Sequence, residues 1–304
     1  MQAKKSFKRT NRGQEISRKR RGFFSQYHLV RRRLPKLELT RYDALPKKRV
    51  LVLSPHPEEH VEKCYATIKG FLKAGSHVGV HVVTPGWHGV KPSLEQLKAV
   101  RKKSVGERGR AMAAATIKTR RAETREADKS LGVRSVFHNF DFYSTGVVSR
   151  ADLSRMRGII SKEKPEVVIM PSPMDLQPAH AAVYDLALKY LKRAARSSGN
   201  RIEVWGFETP YNQHSLAELN QVVSYTGSLQ TEKMNAMAKH VSQENRRKAV
   251  LTDRMAEATR AMAVKEELKG FGSKVSPMTT EHMELFSKSF LVPFGPFVFS
   301  KMKR

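Results

Sequence analysis

One imidazole and two carboxylates, those of His56, Glu58 and Glu59, directly follow an unbroken apolar run of the chain. A histidine and an acid three residues apart across a tight loop can both face one metal ion, because imidazole and carboxylate are common ligands of zinc. The same residue types are also frequent in solvated loops between a strand and a helix. Composition alone therefore leaves a metal site and an ordinary polar loop both open.

A predicted strand positions this cluster. Val50 to Leu53 is apolar with two β-branched residues, and Ser54-Pro55 ends the run. A short apolar run bounded by turn residues is typical of a buried parallel strand. In open α/β sheets, ligands bind outside the carboxyl ends of the strands, which is where the cluster lies.

A second polar cluster follows another apolar strand, which we predict at Pro165–Pro171. Asp175, Gln177 and His180 come after this strand, where the next helix is predicted to begin. A single histidine in such a place is more often a polar residue of a helix start than a ligand. His180 alone therefore does not indicate a metal site, which would also require ligands from the first cluster.

Strands and helices alternate through the middle of the chain, which predicts an α/β fold. We expect a Rossmann-like three-layer sandwich with a mostly parallel sheet. The predicted organisation has three parts. Residues 1–48 form a basic, partly disordered N-terminal extension, residues 49–243 form the α/β domain, and residues 244–304 form a C-terminal extension that packs on the core. This last part is predicted to be helical to about Leu268 and apolar beyond it.

The formal charge of +29 over 304 residues is extreme. Residues 1–48 contain 16 Lys and Arg residues against three acids. They suit a solvated tail, an anchor to anionic membrane or nucleic acid, or a segment that docks on the folded domain. The single cysteine excludes an intrachain disulfide. Because the sequence shows neither a transmembrane run nor a signal-peptide core, the simplest expected location is the cytoplasm, with peripheral membrane contact left open.

The two clusters resemble those of the LmbE-like/PIG-L family of zinc-dependent N-acetylglucosaminyl deacetylases. Residues 55–60, Pro-His-Pro-Glu-Glu-His, are similar to the family signature Pro/Ala-His-Pro-Asp-Asp-Glu/Asp. Both Asp positions are Glu here, and the last acid is His60. The segment from Asp175 to His180 is similar to the family's Asp followed by His-Pro-Asp-His or His-Gly-Thr-His, with Gln177 in place of the first histidine.

Weaker motifs extend this resemblance from about Arg49 to Gln243. Arg120-Arg121-Ala122-Glu123 resembles the family's Arg-x-x-Glu helix, which ends at a Leu-Gly-Val like that of residues 131–133. The spacing of Lys233, Ala236, His240 and Ser242-Gln243 is similar to that of a later family helix. His240 is within reach of the site by this comparison, although a structural role in its helix is the simpler expectation.

The resemblance implies a role for each site residue. His56, Glu59 and His180 would bind one Zn²⁺ per chain, although Fe²⁺ and Mn²⁺ suit the same ligands. Glu58 would be the general base and acid, Gln177 would occupy the position of the oxyanion-stabilising histidine, and Arg120 would lie near the active site. His60, which stands where the family has an acid, is a candidate extra ligand or acid.

Two functions from different classes follow. The first is a deacetylase that removes the N-acetyl group from an N-acetylglucosamine-type sugar, and whether the sugar has an anionic or lipid-linked carrier is left open. The second is a catalytically impaired family member that binds nucleic acid or an anionic membrane through its basic surface. The Glu-for-Asp and Gln-for-His replacements favour the second function, and the retained ligand types favour the first.

Overall fold

The computed structural model describes residues 38–90, 97–98, 101, 103–209, 218–243 and 282–291. These residues contain eight strands that form one sheet. The strands are β1 (Glu38–Arg41), β2 (Arg49–Ser54), β3 (His77–Val82), β4 (Val136–Phe137), β5 (Val167–Pro171), β6 (Ile202–Phe207), β7 (Gln221–Tyr225) and β8 (His282–Leu291). Their order across the sheet is β1-β7-β8-β6-β5-β2-β3-β4.

Every pair of neighbouring strands in this sheet is parallel except the two pairs that include β8, which runs antiparallel to β6 and to β7. Helices flank the sheet. They are α1 (Glu59–Lys73), α2 (Val105–Leu131), α3 (Phe142–Thr145), α4 (Arg150–Glu163), α5 (Pro178–Ser198) and α6 (Gly227–Met237). The predicted α/β fold with a mostly parallel, Rossmann-like sheet is confirmed.

Strands β2 and β5 are neighbours in the middle of the sheet, and each is almost wholly buried. Their apolar composition follows from this position, since a central parallel strand is covered on both faces. Helix α1 packs its apolar side chains, among them Val61, Ile68 and Phe71, against this part of the sheet. The carboxyl ends of β2 and β5 therefore meet at one edge of a well-packed core, with their following loops side by side.

The sheet extends beyond residues 49–243 at both ends. Glu38–Arg41, inside the predicted basic extension, pairs in parallel with β7 as an edge strand. His282–Leu291, inside the predicted C-terminal extension, lies between β6 and β7. The apolar side chains of Phe286, Phe290 and Leu291 thus belong to a strand within the sheet. Residues 1–37 and the predicted helix to Leu268 lie outside the described residues.

A buried carboxylate joins β8 to two helices. Glu284 accepts hydrogen bonds from the backbone N–H groups of Ala66 and Thr67 and from the Thr67 hydroxyl, at 2.7–3.0 Å. It also pairs with Lys233 of α6 at 3.1 Å, and both side chains of this ion pair are buried. A buried charge pair of this kind is tolerated when hydrogen bonds satisfy the remaining lone pairs, as they do here. Lys233, a residue of the sequence resemblance, is thereby explained as an anchor of β8.

Helix α2 ends as its sequence predicts. Leu131 is its last residue, and Gly132 follows with φ +83° in the left-handed region, where its N–H bonds to the Asp128 carbonyl at 2.8 Å. Glycine is suited to this position because it has no Cβ to clash. The buried residues of the helix include Arg120, Thr124 and Asp128, which recur every fourth position and so share one face. This polar stripe faces the start of α1.

Candidate metal centre

His56, Glu59 and His180 form a compact, buried triad at the carboxyl edge of the sheet. His56 lies in the loop after β2, Glu59 is the first residue of α1, and His180 lies in the first turn of α5. Glu59 Oε1 is 3.0 Å from His56 Nδ1 and 2.6 Å from His180 Nε2, and the two ring nitrogens are 3.2 Å apart. The three predicted ligands are therefore brought together, although they come from two distant parts of the sequence.

The triad has the donor set and the shape of a metal site. It is the one group of three or more His, Cys, Asp or Glu ligand atoms within 4.8 Å of one another among the described residues. Ligands at about 2.1 Å from a tetrahedral zinc ion lie about 3.4 Å from each other, so the donors need to move apart by less than about 1 Å. Two histidines and one carboxylate are the protein ligands of a catalytic zinc site that keeps a position for water. Zn²⁺, Fe²⁺ and Mn²⁺ all suit these donors.

Asp175 fixes the orientation of His180. Its Oδ2 atom lies 2.8 Å from His180 Nδ1 and accepts a hydrogen bond from the Thr209 hydroxyl at 2.7 Å. Its Oδ1 atom accepts from the Gln177 backbone N–H at 2.9 Å. When Nδ1–H donates to this carboxylate, Nε2 carries the lone pair toward the triad, as in many metal sites. From the sequence, Asp175 is a motif position without an assigned role; the structure makes it the residue that orients the candidate ligand His180.

The buried carboxylate of Glu59 and the ring of His180 each stabilise the charged form of the other. Burial by itself lowers the pKa of His180, but the Glu59 and Asp175 carboxylates outweigh it and raise that pKa to about 10. Burial by itself raises the pKa of Glu59, but His180 and His56 hold it well below its usual range. A cation at this position is therefore favoured by the surrounding carboxylates.

Glu58 and Arg120 form a buried ion pair next to the triad. Glu58 is the residue that precedes α1, and its Oε2 atom accepts a hydrogen bond from Arg120 Nη2. The other terminal nitrogen of the guanidinium, Nη1, donates to the carbonyl of Gly86. Gly86 has φ +65°, and a Cβ at this residue would overlap the guanidinium. The structure thus places Arg120 beside the candidate base and ties the loop after β3 to it.

Gln177 caps helix α5 and faces the triad at the same time. Its side-chain Oε1 accepts from the His180 backbone N–H at 2.9 Å, as an N-cap residue does. Because the oxygen is engaged in this way, the amide nitrogen points to the other side, where it lies 3.5 Å from His56 Nε2. A neutral hydrogen-bond donor therefore occupies the place where the resemblance puts a histidine.

His60 and His240 lie outside the triad. His60 Nε2 pairs with Asp128 Oδ1 at 2.9 Å, and the ring is fully buried, so the expectation of an extra ligand or acid is wrong for this geometry. His240 is also buried, and neither ring nitrogen has a hydrogen-bond partner among the described residues. Burial lowers the pKa of His240 to about 4, so its ring is neutral at pH 7.

The polar stripe of α2 contacts the loop and helix start that contain the family signature, residues 55–60. Arg120 pairs with Glu58, Thr124 donates to the Pro57 carbonyl at 3.2 Å, and Asp128 pairs with His60. The spacing of these three polar residues along a helix is visible in the sequence, although their partners are not. Thr124 and Asp128, which are outside the six predicted site residues, thus contact the same loop and helix start as Arg120.

Three rings, two from the loop after β3 and one from helix α3, stand beside the triad, and we call Trp87, His88 and Tyr143 the aromatic wall. Tyr143 lies edge-on to the His56 ring at 5.9 Å, and Trp87 lies edge-on to Tyr143 at 5.9 Å. The His88 ring is 5.0 Å from Tyr143, and its backbone N–H donates to the Tyr143 hydroxyl at 3.2 Å. Burial raises the pKa of Tyr143, so its hydroxyl stays protonated at neutral pH.

Comparisons with known proteins agree with this geometry. The family model described as PIG-L, GlcNAc-PI de-N-acetylase, matches residues 51–191, which include all six predicted site residues. No curated protein matches the chain. Among described helices, none is long and apolar enough to cross a membrane.

Two solved structures illustrate the similarity of the fold. The N,N'-diacetylchitobiose deacetylase from Pyrococcus horikoshii is 22% identical, with a TM-score of 0.54, and the match covers 83% of this chain and 88% of that one. GalB, a 4-carboxy-2-hydroxymuconate hydratase from Pseudomonas putida KT2440, is 16% identical with a TM-score of 0.57, and the match covers 83% and 98% of the two chains. At these identities the similarity shows the fold and not the reaction.

The family match and the buried triad together support a metal-dependent deacetylase. The matched residues contain both strand ends that carry the triad, and the fold is that of known members. Residues 51–191 of the chain match the PIG-L/LmbE-like deacetylase family.

Proposed function

We propose that the protein is a hydrolase that removes the N-acetyl group from an N-acetylglucosamine-type sugar. The observation that carries this proposal is the His56–Glu59–His180 triad with a carboxylate, Glu58, directly beside it. The family model is named for the de-N-acetylation of a glucosamine derivative, and the Pyrococcus neighbour is named for the deacetylation of a glucosamine disaccharide. Both names support the same class of substrate.

The residues beside the triad suit hydrolysis of an amide. A bound zinc ion would lower the pKa of water toward about 7 and polarise the substrate carbonyl. Glu58 would accept a proton from the attacking water and deliver it to the amine as the C–N bond breaks, which yields acetate and the free amino sugar. Gln177 would donate a neutral hydrogen bond to the oxygen on which negative charge develops. Arg120 would hold Glu58 in place through the buried ion pair.

The longer carboxylates fit this geometry. Glu59 reaches both histidines with one oxygen, while its other oxygen accepts from the His56 backbone N–H at 2.9 Å. Glu58 is held by Arg120. Each extra methylene relative to the family's Asp is thus taken up by a specific contact, which supports a retained rather than a decayed site.

The test combines metal content with product release. The parent protein, a His56→Ala/His180→Ala variant and a His77→Ala control are each loaded with zinc, dialysed and measured by elemental analysis. His77 is a suitable control because it is an exposed histidine outside the triad. We expect about one zinc per chain in the parent and the control and none in the double variant. Acetate release from a panel of N-acetylated amino sugars should follow the same pattern.

Two other results would contradict the deacetylase. Zinc bound without hydrolysis of any N-acetylated sugar would leave a metal-binding family member with another reaction, as the hydratase GalB shows that this fold supports. A parent that binds no zinc would leave only the impaired, basic binding protein. Contact of residues 1–48 with an anionic membrane or nucleic acid, and a cytoplasmic location, stay predictions from the sequence.

A further inference from the structure

We propose that the aromatic wall is the specificity platform for the sugar, with Trp87 and Tyr143 in contact with the apolar face of a pyranose ring. The inference rests on the proposed function, because it concerns the substrate of the same site. The proposal assigns a role to Trp87 and Tyr143, which are outside the predicted site residues. It predicts that the site prefers an N-acetylated sugar ring to an acyclic N-acetylated amine.

The position of the wall supports this assignment. Tyr143 lies against His56, one of the three candidate ligands, and Trp87 lies against Tyr143 on the side of the Gly86 loop. Tyr143 and Trp87 are both only partly buried, so each leaves area for a ligand. A sugar ring attached directly to the N-acetyl nitrogen must lie within one or two bonds of the carbonyl at the triad. The wall is the aromatic surface next to that position among the described residues.

The wall is also held in place before any ligand binds. Arg120 bonds to the carbonyl of Gly86, immediately before Trp87, and so joins this loop to the Glu58 pair. The His88 backbone N–H bonds to the Tyr143 hydroxyl and so joins the loop after β3 to helix α3. A preorganised surface loses little conformational entropy on binding. The same guanidinium therefore positions the candidate base and the platform relative to each other.

The chemistry of the wall matches that of a sugar. One face of a pyranose presents C–H groups, and its rim presents hydroxyls. Trp87 and Tyr143 offer aromatic surface for the C–H face, while the tyrosine hydroxyl and the exposed His88 ring offer hydrogen-bonding groups for the rim. The Tyr143 oxygen accepts from a backbone N–H, which leaves its proton for donation. A linear alkyl amide has no ring face to stack on Trp87 and Tyr143 and no rim of ring hydroxyls to bond to Tyr143 and His88.

A kinetic comparison of two substrates tests the platform. The substrates are methyl N-acetylglucosaminide, which has the ring, and N-acetylethanolamine, which lacks it. The proteins are the zinc-loaded parent, Trp87→Ala and Trp87→Phe. We expect Trp87→Ala to raise KM for the sugar about tenfold while KM for the acyclic amide stays unchanged, since stacked rings contribute at this level. Trp87→Phe keeps a ring and should restore most of the loss. Equal effects on both substrates, or none on the sugar, would overturn the proposal.

A binding measurement separates the platform from the reaction. The chain has two tryptophans, and Trp205 is buried with 3% exposure, so Trp87 is the one that a sugar can reach. Methyl N-acetylglucosaminide should change the emission of the parent and leave that of Trp87→Phe unchanged. An emission change without acetate release would support the platform and refute the deacetylase. Acetate release from the sugar with no emission change and an unaltered KM in Trp87→Ala would refute the platform and leave the deacetylase standing.

Discussion

The guanidinium of Arg120 lies against the carboxylate of Glu58, and both side chains are buried. The same guanidinium bonds to Gly86, so one arginine connects the loop after β2, the loop after β3 and helix α2. Arg120 thus positions the candidate base without touching the triad itself. This relationship leads to the first prediction.

Replacement of Arg120 by Ala should reduce both stability and activity. The change leaves the Glu58 charge buried without its partner, which costs about 3–5 kcal/mol of the free energy of unfolding. It also releases the base, so kcat should fall about a hundredfold. Urea denaturation and acetate release measure the two effects. Lys129→Ala removes an exposed ion pair with Glu126 on the same helix and should cost about 1 kcal/mol or less. Equal stability of the two variants would contradict a buried, structurally important pair.

Replacement of Asp175 by Asn should weaken metal binding although Asp175 is not a ligand. The neutral amide oxygen accepts the hydrogen bond from His180 Nδ1–H more weakly than a carboxylate does, so the ring is oriented less firmly and loses part of its basicity. Zinc affinity, measured by competition with a chelating dye, should fall about 10–100-fold. Thr209→Val, which removes one hydrogen bond to Asp175, should have a smaller effect in the same direction. Unchanged affinity in Asp175→Asn would show that the Asp175 carboxylate does not support metal binding through His180.

Replacement of Gln177 by Ala should separate two roles of one side chain. Loss of the N-cap oxygen should lower the free energy of unfolding by about 1 kcal/mol. Loss of the amide donor should lower kcat about 10²–10³-fold with little change in KM. Ser149→Ala removes the N-cap of α4, far along the chain from the triad, and serves as the control. It should lose stability and keep its activity, and a Gln177→Ala variant that behaved in the same way would have no role beyond the cap.

Stability should fall as the pH is lowered from about 6.5 to about 4. Burial and the nearby His81, Arg155 and Lys162 lower the pKa of His138 to about 4, well below its ordinary value of 6.5. Because the unfolded chain then takes up protons before the folded chain does, the stability present above pH 6.5 is lost through this window. His240, whose pKa is also lowered to about 4, acts in the same direction.

A His138→Gln variant tests this pH dependence. Glutamine keeps an N–H donor for His81 Nδ1, which lies 2.9 Å from His138 Nε2, but it does not titrate. Urea midpoints between pH 7.5 and 5 should therefore decline less steeply in the variant than in the parent. Parallel declines would assign the acid sensitivity to other groups.

The sequence predicts the triad well because each ligand belongs to a local motif at the end of a strand. His56 and Glu59 are three residues apart, and His180 follows Asp175 and Gln177 at a helix start. The α/β fold brings such strand ends together whatever the details of packing. For the same reason the apolar runs of β2 and β5 identify the centre of the sheet.

The remaining features depend on contacts between distant segments. The aromatic wall forms because the loop after β3 and helix α3 lie next to each other, which requires the strand order. His60 reads as a candidate ligand beside Glu59, and only the position of Asp128 on α2 shows that it faces the other way. The Glu284 contacts join residues more than 200 positions apart in one case and 51 in another, and no local pattern reports them.

The late position of β8 also has a consequence for synthesis of the chain. Strands β6 and β7 are synthesised before β8, which separates them in the sheet. In a nascent chain these two strands therefore either stay unpaired on the sides that face β8 or pair with each other for a time. Parallel sheets with distant pairings are slow to form and expose unpaired strand edges. The sheet is therefore complete only when residues 282–291 have been synthesised. Strand β8 then pairs with β6 and β7 and joins the β1–β7 pair to the strands that carry the triad.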